Sequence, residues 1–192
     1  MLRPEAMAAL RGAEHIIHAG DVGKPEILQQ LGEIAPVTAV RGNIDKGTWA
    51  LKLPETQVVE LSGITIYVLH DLGTLDLKPQ AAGFEVVISG HSHVPKQELR
   101  DGVLYFNPGS AGPRRFKLPI TVGRIFIENG AVRGEMAASR LDGGPNQRVG
   151  TDRGRAIGRR CRYPQRVDGS HSQGGGSRDR GDRRCRWVQG SG

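Results

Sequence analysis

Four apolar runs in this chain end in the same way, each delivering a hard or imidazole ligand where the run stops. "HIIHAGD" (15–21) delivers Asp21, "VTAVRGN" (37–43) delivers Asn43, "TIYVLHD" (65–71) delivers His70, and "EVVISGHSH" (85–93) delivers His91 and His93. A glycine precedes three of these ligand groups and lets the backbone turn sharply without a Cβ penalty. Strand C-termini lie along one edge of an α/β sheet, and that edge is where such proteins assemble sites. The pattern therefore restricts the fold to one in which several strands end together.

The remaining elements agree. "PEAMAALRG" (4–12) reads as a short helix opened by Pro4 and stopped by Gly12, and "KPEILQQLGEI" (24–34) as a second, with Ile27, Leu28, Leu31 and Ile34 at helical spacing. From residue 57 strands dominate. "QVVELSGITIYVLH" reads as two β runs joined at Ser62-Gly63, with Ile64, Ile66 and Val68 on one face. "EVVISG" and "VLYFNPG" are further strands, and "ITVGRIFIENGAVRGEM" is a hairpin turning at Asn129-Gly130. Helices early and strands late predict an α/β protein of two packed β-sheets flanked by helices.

The chain divides into a domain, 1–139, and a tail, 140–192. Its formal net charge of +7 is unevenly spread: residues 1–139 carry 14 Lys and Arg against 15 Asp and Glu, whereas 140–192 carry 13 Arg, no Lys and 5 Asp. The basicity belongs to the tail and says nothing about the folded part. Arg- and Gly-rich sequence with few large apolar residues cannot offset its ordering entropy, so the tail is expected to be disordered. Thirteen arginines with no lysine, beside six lysines in the domain, give it the character of out-of-frame sequence. Nucleic acid binding through the tail is disfavoured, because Tyr163 and Trp187 are its only residues for base stacking. Both cysteines, Cys161 and Cys185, also fall there, which leaves the domain without a disulfide or thiolate site. No run approaches the ~18 apolar residues of a membrane helix, and the N-terminus lacks a signal-peptide core. The expectation is a cytoplasmic protein with no membrane partner; its oligomeric state is open.

A lone Gly-Asp or Gly-Asn is usually a turn, and a lone histidine a capped or solvated one. His15 and His18 flank the first strand and read as structural, and His171 lies in the tail. The ordered set Asp21, Asn43, His70, His91 and His93 is different. One carboxylate, one amide oxygen and three imidazoles without thiolate suit Mn²⁺, Fe or Zn²⁺ better than Ca²⁺. Two ions ~3.5–4 Å apart can share a hydroxide and clamp a phosphate for in-line attack.

The order GD, GN, H, GHxH, with the wording "HAGD", "VRGN", "SGHSH" and "NPGS" (107–110), resembles the calcineurin-like metallophosphoesterase superfamily in its small bacterial and archaeal phosphodiesterase branch. The resemblance covers roughly residues 1–138. It implies a sandwich of two β-sheets flanked by helices and a hydrolase acting on phosphoric esters through a metal-bridging hydroxide. Two divalent ions are implied, Mn²⁺ first, with Fe, Ni²⁺ or Zn²⁺ as alternatives, and a small phosphodiester as substrate. Asp21 would be the bridging carboxylate, Asn43, His70 and His91 the other ligands of the second metal, and His93 a ligand of the first.

Three departures accompany the resemblance. The family opens with a strand ending in Asp-x-His, which supplies two more ligands, and no such motif precedes Asp21. The first strand is therefore expected to be missing, leaving the first metal with Asp21 and His93 and a gap in the sheet. Where many members carry a histidine thought to protonate the leaving group, this chain has Ile44. The family domain also finishes near "IENGAVRGEM", ahead of the tail. The alternative implied is a catalytically inactive scaffold of the same fold, as in a relative of the eukaryotic retromer complex.

Overall fold

Both helices start where a proline stands in the first turn, a place where its missing N–H has no intrahelical partner to lose. In the computed structural model, which describes residues 2–112, 117–138 and 184–189, α1 spans Pro4–Leu10 and α2 spans Pro25–Gly32. Glu5 and Glu26 lie in the first turns, where a negative charge complements the helix dipole. Ala6 and Leu10 of α1 and Leu31 of α2 pack with Ile16 and Val122 in one apolar cluster, which lays both helices on the outer face of a sheet.

That sheet has five strands in the order β2–β1–β10–β8–β9: β1 is Ile16–His18, β2 Val37–Ala39, β8 Thr121–Glu128, β9 Ala131–Ala138 and β10 Arg184–Gln189. The second sheet runs β3–β4–β5–β7–β6: β3 is Thr56–Leu61, β4 Ile64–Leu69, β5 Val86–Ile88, β6 Lys96–Arg100 and β7 Val103–Asn107. β1 and β2 are parallel, and so are β4, β5 and β7, so their C-terminal ends share an edge within each sheet. The hairpin turn at Asn129-Gly130 is present, with both residues at positive φ.

Alternation decides what each strand buries. Ile17 of β1, Ile66 and Val68 of β4, Ile88 of β5, Phe106 of β7 and Ile125 of β8 face one another in the core between the sheets. Ile64, Ile66 and Val68 share that face, as their spacing predicts. On the opposite face of β4, Tyr67 and Leu69 are covered by Leu72, Leu75, Leu77 and Phe84 from the following loop, and the Tyr67 and Phe84 rings stack at 5.0 Å. Two packed sheets flanked by helices are thus what the chain builds.

Two features differ from the sequence reading. β6 was not foreseen, because "KQELR" is polar; it is an edge strand whose charged side chains stay at the surface. Of the tail expected to be disordered, residues 140–183 and 190–192 lie outside the described residues, but Arg184–Gln189 form a strand between β1 and β8. At that place the sheet has no gap.

Phe106 sits between the sheets at 1 % exposure, and two glycines make its place. A Cβ on Gly123 of β8 would fall 2.3 Å from the ring, and one on Gly134 of β9 would fall 2.7 Å from it. Gly123→Ala is therefore expected to destabilise by about 1–3 kcal/mol through overpacking. The penalty should shrink when Phe106→Leu is added, since the two changes share one contact. Urea midpoints of the single and double variants check this; an additive pair would show that the ring does not set the limit.

Candidate metal centre

Four strand ends converge at one edge. His70 follows β4 and is buried, and its Nδ1 lies 2.8 Å from the carbonyl of Ala19. A carbonyl only accepts, so that nitrogen carries the proton, and in the neutral ring Nε2 holds a lone pair. Nε2 is 2.8 Å from Asn43 Oδ1, 3.3 Å from Asp21 Oδ1 and 3.3 Å from His91 Nδ1. His91 Nδ1 is in turn 3.2 Å from Asn43 Oδ1.

The backbone is held tightly to achieve this. A Cβ on Gly42 would stand 2.0 Å from the Asp21 nitrogen and 2.2 Å from its Oδ1, so only glycine lets the Asn43 loop touch the Asp21 loop. A Cβ on Gly20 would meet His70 Nδ1 at 2.6 Å. Asp21, His91 and His93 all adopt positive φ, at 57°, 60° and 56°. Non-glycine residues there are strained, by of order 1–3 kcal/mol each, and persist where their surroundings over-determine them.

Two groups that enforce this arrangement were not foreseen as functional. Asp45 is buried and accepts from Gly23 N and Gly42 N, both at 2.8 Å, fastening the two ligand-bearing loops together. Asn107, read only as part of a nearby loop, donates from Nδ2 to the Gly90 carbonyl at 2.6 Å and to Ser92 Oγ at 3.1 Å, and its Oδ1 accepts from Gly109 N. It anchors the turn that presents His91. A carboxylate two residues after Asn43 and an amide before Pro108 were the available signals, but both act on distant segments.

Asp21, Asn43, His70 and His91 are thus brought together. His93 is half-buried with Nδ1 shielded from solvent, and the contacts joining the other four are made without it. His15 bonds Thr38 Oγ1 through Nε2 at 2.8 Å, and His18 is buried in β1, in keeping with structural roles. Ile44 is part-exposed, and its N–H donates to Asp21 Oδ1 at 3.2 Å. No three His, Cys, Asp or Glu side chains among the described residues form a ready-made metal cage. The convergence here includes an amide oxygen, and the donor atoms lie against one another. Two ligands at right angles, each about 2.1 Å from an ion, stand about 3 Å apart, which is the spacing observed. The donor set fits a divalent cation.

Beside His91 a groove of about 180 Å³ runs over the outer face of the second sheet, lined by Asp71, Ser92, Lys96, Arg100 and Tyr105. Glu98 bridges Lys96 at 3.0 Å and Arg100 at 2.7 Å, and the Arg100 guanidinium lies 4.8 Å from the centre of the Tyr105 ring. The Arg100 and Lys96 hydrogen bonds hold the Glu98 carboxyl well below its usual range.

With this geometry in view, the calcineurin-like phosphoesterase superfamily domain matches residues 1–130. The chain belongs to that superfamily. It is 38 % identical over 116 residues to a probable metallophosphoesterase of Methanothermobacter thermautotrophicus, covering 56 % of this chain and 66 % of that protein's length. It is 30 % identical over 138 residues to the phosphodiesterase YfcE of Escherichia coli, covering 61 % of this chain and 74 % of that one. The structure is similar to Vps29 of Entamoeba histolytica, solved with Zn²⁺, at a TM-score of 0.63 and 20 % identity, over 75 % of this chain and 86 % of that one. At that identity the likeness concerns the fold. Among the described residues no helix is long and apolar enough to cross a membrane.

Two expectations follow from these contacts. Asp45→Ala leaves the buried Gly42 N–H unpaired, at a cost of about 1–3 kcal/mol in stability, and frees the Gly23 N–H, which stands at the surface and costs less. It should also weaken binding of a divalent cation by about 10–100-fold, as loss of an outer-shell partner does; urea midpoints and titration calorimetry would measure both. The second concerns His18, whose pKa burial lowers to about 4 against the pull of Asp45 and Asp21. Unfolded, it titrates near 6.5, so the unfolded chain binds the extra proton between those values. The neutral ring's stabilisation is complete above about pH 6.5 and lost as pH falls towards 4, by about 2 kcal/mol at pH 5. His18→Gln should flatten that part of the pH dependence between pH 7 and pH 5.

Proposed function

We propose that this chain is a metal-dependent phosphodiesterase acting on small phosphodiesters. The observation that carries the reading is the approach of His70 Nε2, Asp21 Oδ1, Asn43 Oδ1 and His91 Nδ1 within 2.8–3.3 Å. An imidazole nitrogen, a carboxylate and an amide oxygen can each act as an electron-pair donor, and a cation would reconcile them. These four residues would hold one divalent ion, Mn²⁺ in first place, and Asp21 with His93 would contribute to a second. When bound, such ions supply Lewis acidity that activates water towards phosphorus and offsets the charge developing on the phosphoryl oxygens.

The protein's part is positioning. The Ala19 carbonyl fixes the His70 tautomer, Asp45 fixes the separation of the Asp21 and Asn43 loops, and Asn107 fixes the turn bearing His91. The groove beside His91 would take the organic group of the substrate. Its Tyr105 offers an aromatic face, and its Lys96 and Arg100 are balanced by Glu98 and Asp71. Ile44 cannot donate a proton, so the substrates expected are those whose leaving groups depart without a side-chain acid. The similarity to the E. coli phosphodiesterase supports the same reading.

The test is Mn²⁺-dependent hydrolysis of bis-p-nitrophenyl phosphate by the full chain, alongside Mn²⁺ binding by calorimetry. His70→Ala should abolish both, by more than the about 10–100-fold cost of an outer-shell change. Folded protein that binds Mn²⁺ yet hydrolyses nothing would overturn the proposal in favour of a non-catalytic scaffold of this fold.

A further inference from the structure

The first sheet is held together through a strand that arrives from far along the chain. β1 and β8 are not neighbours: β10 lies between them, parallel to β1 over Ile16↔Trp187, Ile17↔Val188 and His18↔Gln189, and antiparallel to β8 over five residue pairs from Arg184↔Ile127 to Val188↔Gly123. Every ladder hydrogen bond between the β2–β1 half of the sheet and the β8–β9 half therefore passes through Arg184–Gln189. Strands lie about 4.8 Å apart, so without this one the facing edges of β1 and β8 would stand about 10 Å apart with their N–H and C=O groups unpaired. Those edges are deep in the molecule: Ile16, Ile17 and His18 are at most 1 % exposed, and Val122 and Ile125 are fully buried.

The sequence shows why this segment, and not another of the region after β9, can serve. Between residues 140 and 192 a glycine or proline recurs every few positions, and the longest run free of both is 182–189. A central strand tolerates neither residue well, because proline lacks a ladder donor and glycine brings no side chain to pack. The run contains Trp187 and Val188, residue types favoured in strands.

We propose that the slot between β1 and β8 is a strand-accepting site and that residues 184–189 of the same chain are its occupant, an intramolecular donor strand joining the two halves of the sheet. The 45 residues from 139 to 183 could span well over 100 Å if extended, so length alone does not forbid insertion into a second copy. Tethering favours the intramolecular arrangement, because the linked segment is present at an effective concentration of order mM. The proposal concerns the backbone of the sheet and stands or falls independently of any phosphodiesterase activity.

The register supplies the test. Cys185 is directly opposite Phe126, and directly opposed residues of an antiparallel pair have Cα atoms about 4.5–5.5 Å apart, within the range a disulfide spans. In the full chain carrying Cys161→Ser and Phe126→Cys, mild oxidation should give a monomeric cross-linked product. A control with Val58→Cys in place of Phe126→Cys, in the other sheet, should not. A cross-linked dimer would overturn the intramolecular assignment and identify strand exchange between copies, and no cross-link above the control would overturn the pairing itself. Hydrogen exchange on the unaltered chain guards against a variant that misfolds. Amides of 184–189 should exchange about 100-fold or more slowly than in a free peptide of that sequence, together with those of β1. Exchange at the free-peptide rate would refute the donor strand.

Discussion

The site rests on one steric fact, the contact between the Asn43 loop and the Asp21 loop. Gly42 and Asp21 are so close that no side chain fits between them, and the buried Asp45 carboxylate holds the approach from the other side by taking an N–H from each loop. Both loops leave parallel strands of one sheet, whereas His70 and His91 leave parallel strands of the other. The donors from the two sheets meet because the core between the sheets, built on Ile17, Val40, Ile66, Val68 and Ile88, fixes the offset of one edge against the other. Loosening that core would separate residues that are far apart in sequence, against the hold of the His70 bond to the Ala19 carbonyl.

Much of this was legible in the chain, and the parts that were not share a physical cause. Asp21, Asn43, His70 and His91 could be read because each is local: an apolar run and a donor lie within seven or so residues, and at Asp21, Asn43 and His91 the turn carries its own glycine. Both helices and the main strands declared themselves by periodicity, with α2 stopping at Gly32, two residues before the last residue of its apolar pattern. Asp45 and Asn107 did not, since each works through backbone groups of other segments, Gly23 for one and Gly90 for the other. β6 escaped because an edge strand with polar side chains has no buried face to imprint on its sequence. β10 escaped because the composition of residues 140–192, averaged over the whole segment, hides its one run without glycine or proline.

The strained residues bear on what the site can do. Asp21, His91 and His93 hold left-handed conformations that asparagine or glycine would adopt at less cost. Asp21 and His91 supply donor atoms to the cluster, and that is chemistry glycine cannot provide. Their strain is offset by hydrogen bonds from residues without donor roles, such as Asn107, so the rigidity of the cluster is distributed over the loops around it. Such a cluster is preorganised: its donor atoms stand 2.8–3.3 Å apart and would need little rearrangement to take a cation.

Completion of the sheet and completion of the site are separate matters in this chain. Arg184–Gln189 restore backbone pairing between β1 and β8, yet that segment contains no carboxylate and no imidazole. A strand inserted by its backbone needs only compatible residue types and freedom from glycine and proline, whereas a metal ligand must be one particular side chain at one particular strand end. The slot asks for a strand-forming run, and the cluster for particular side chains at particular strand ends. Asp21, three residues beyond the end of β1, depends on β10 for the steadiness of the strand it follows, while its partners Asn43, His70 and His91 are set by β2, β4 and β5. Scaffold and chemistry meet at Asp21, the one donor whose supporting strand is paired to residues from the far end of the chain.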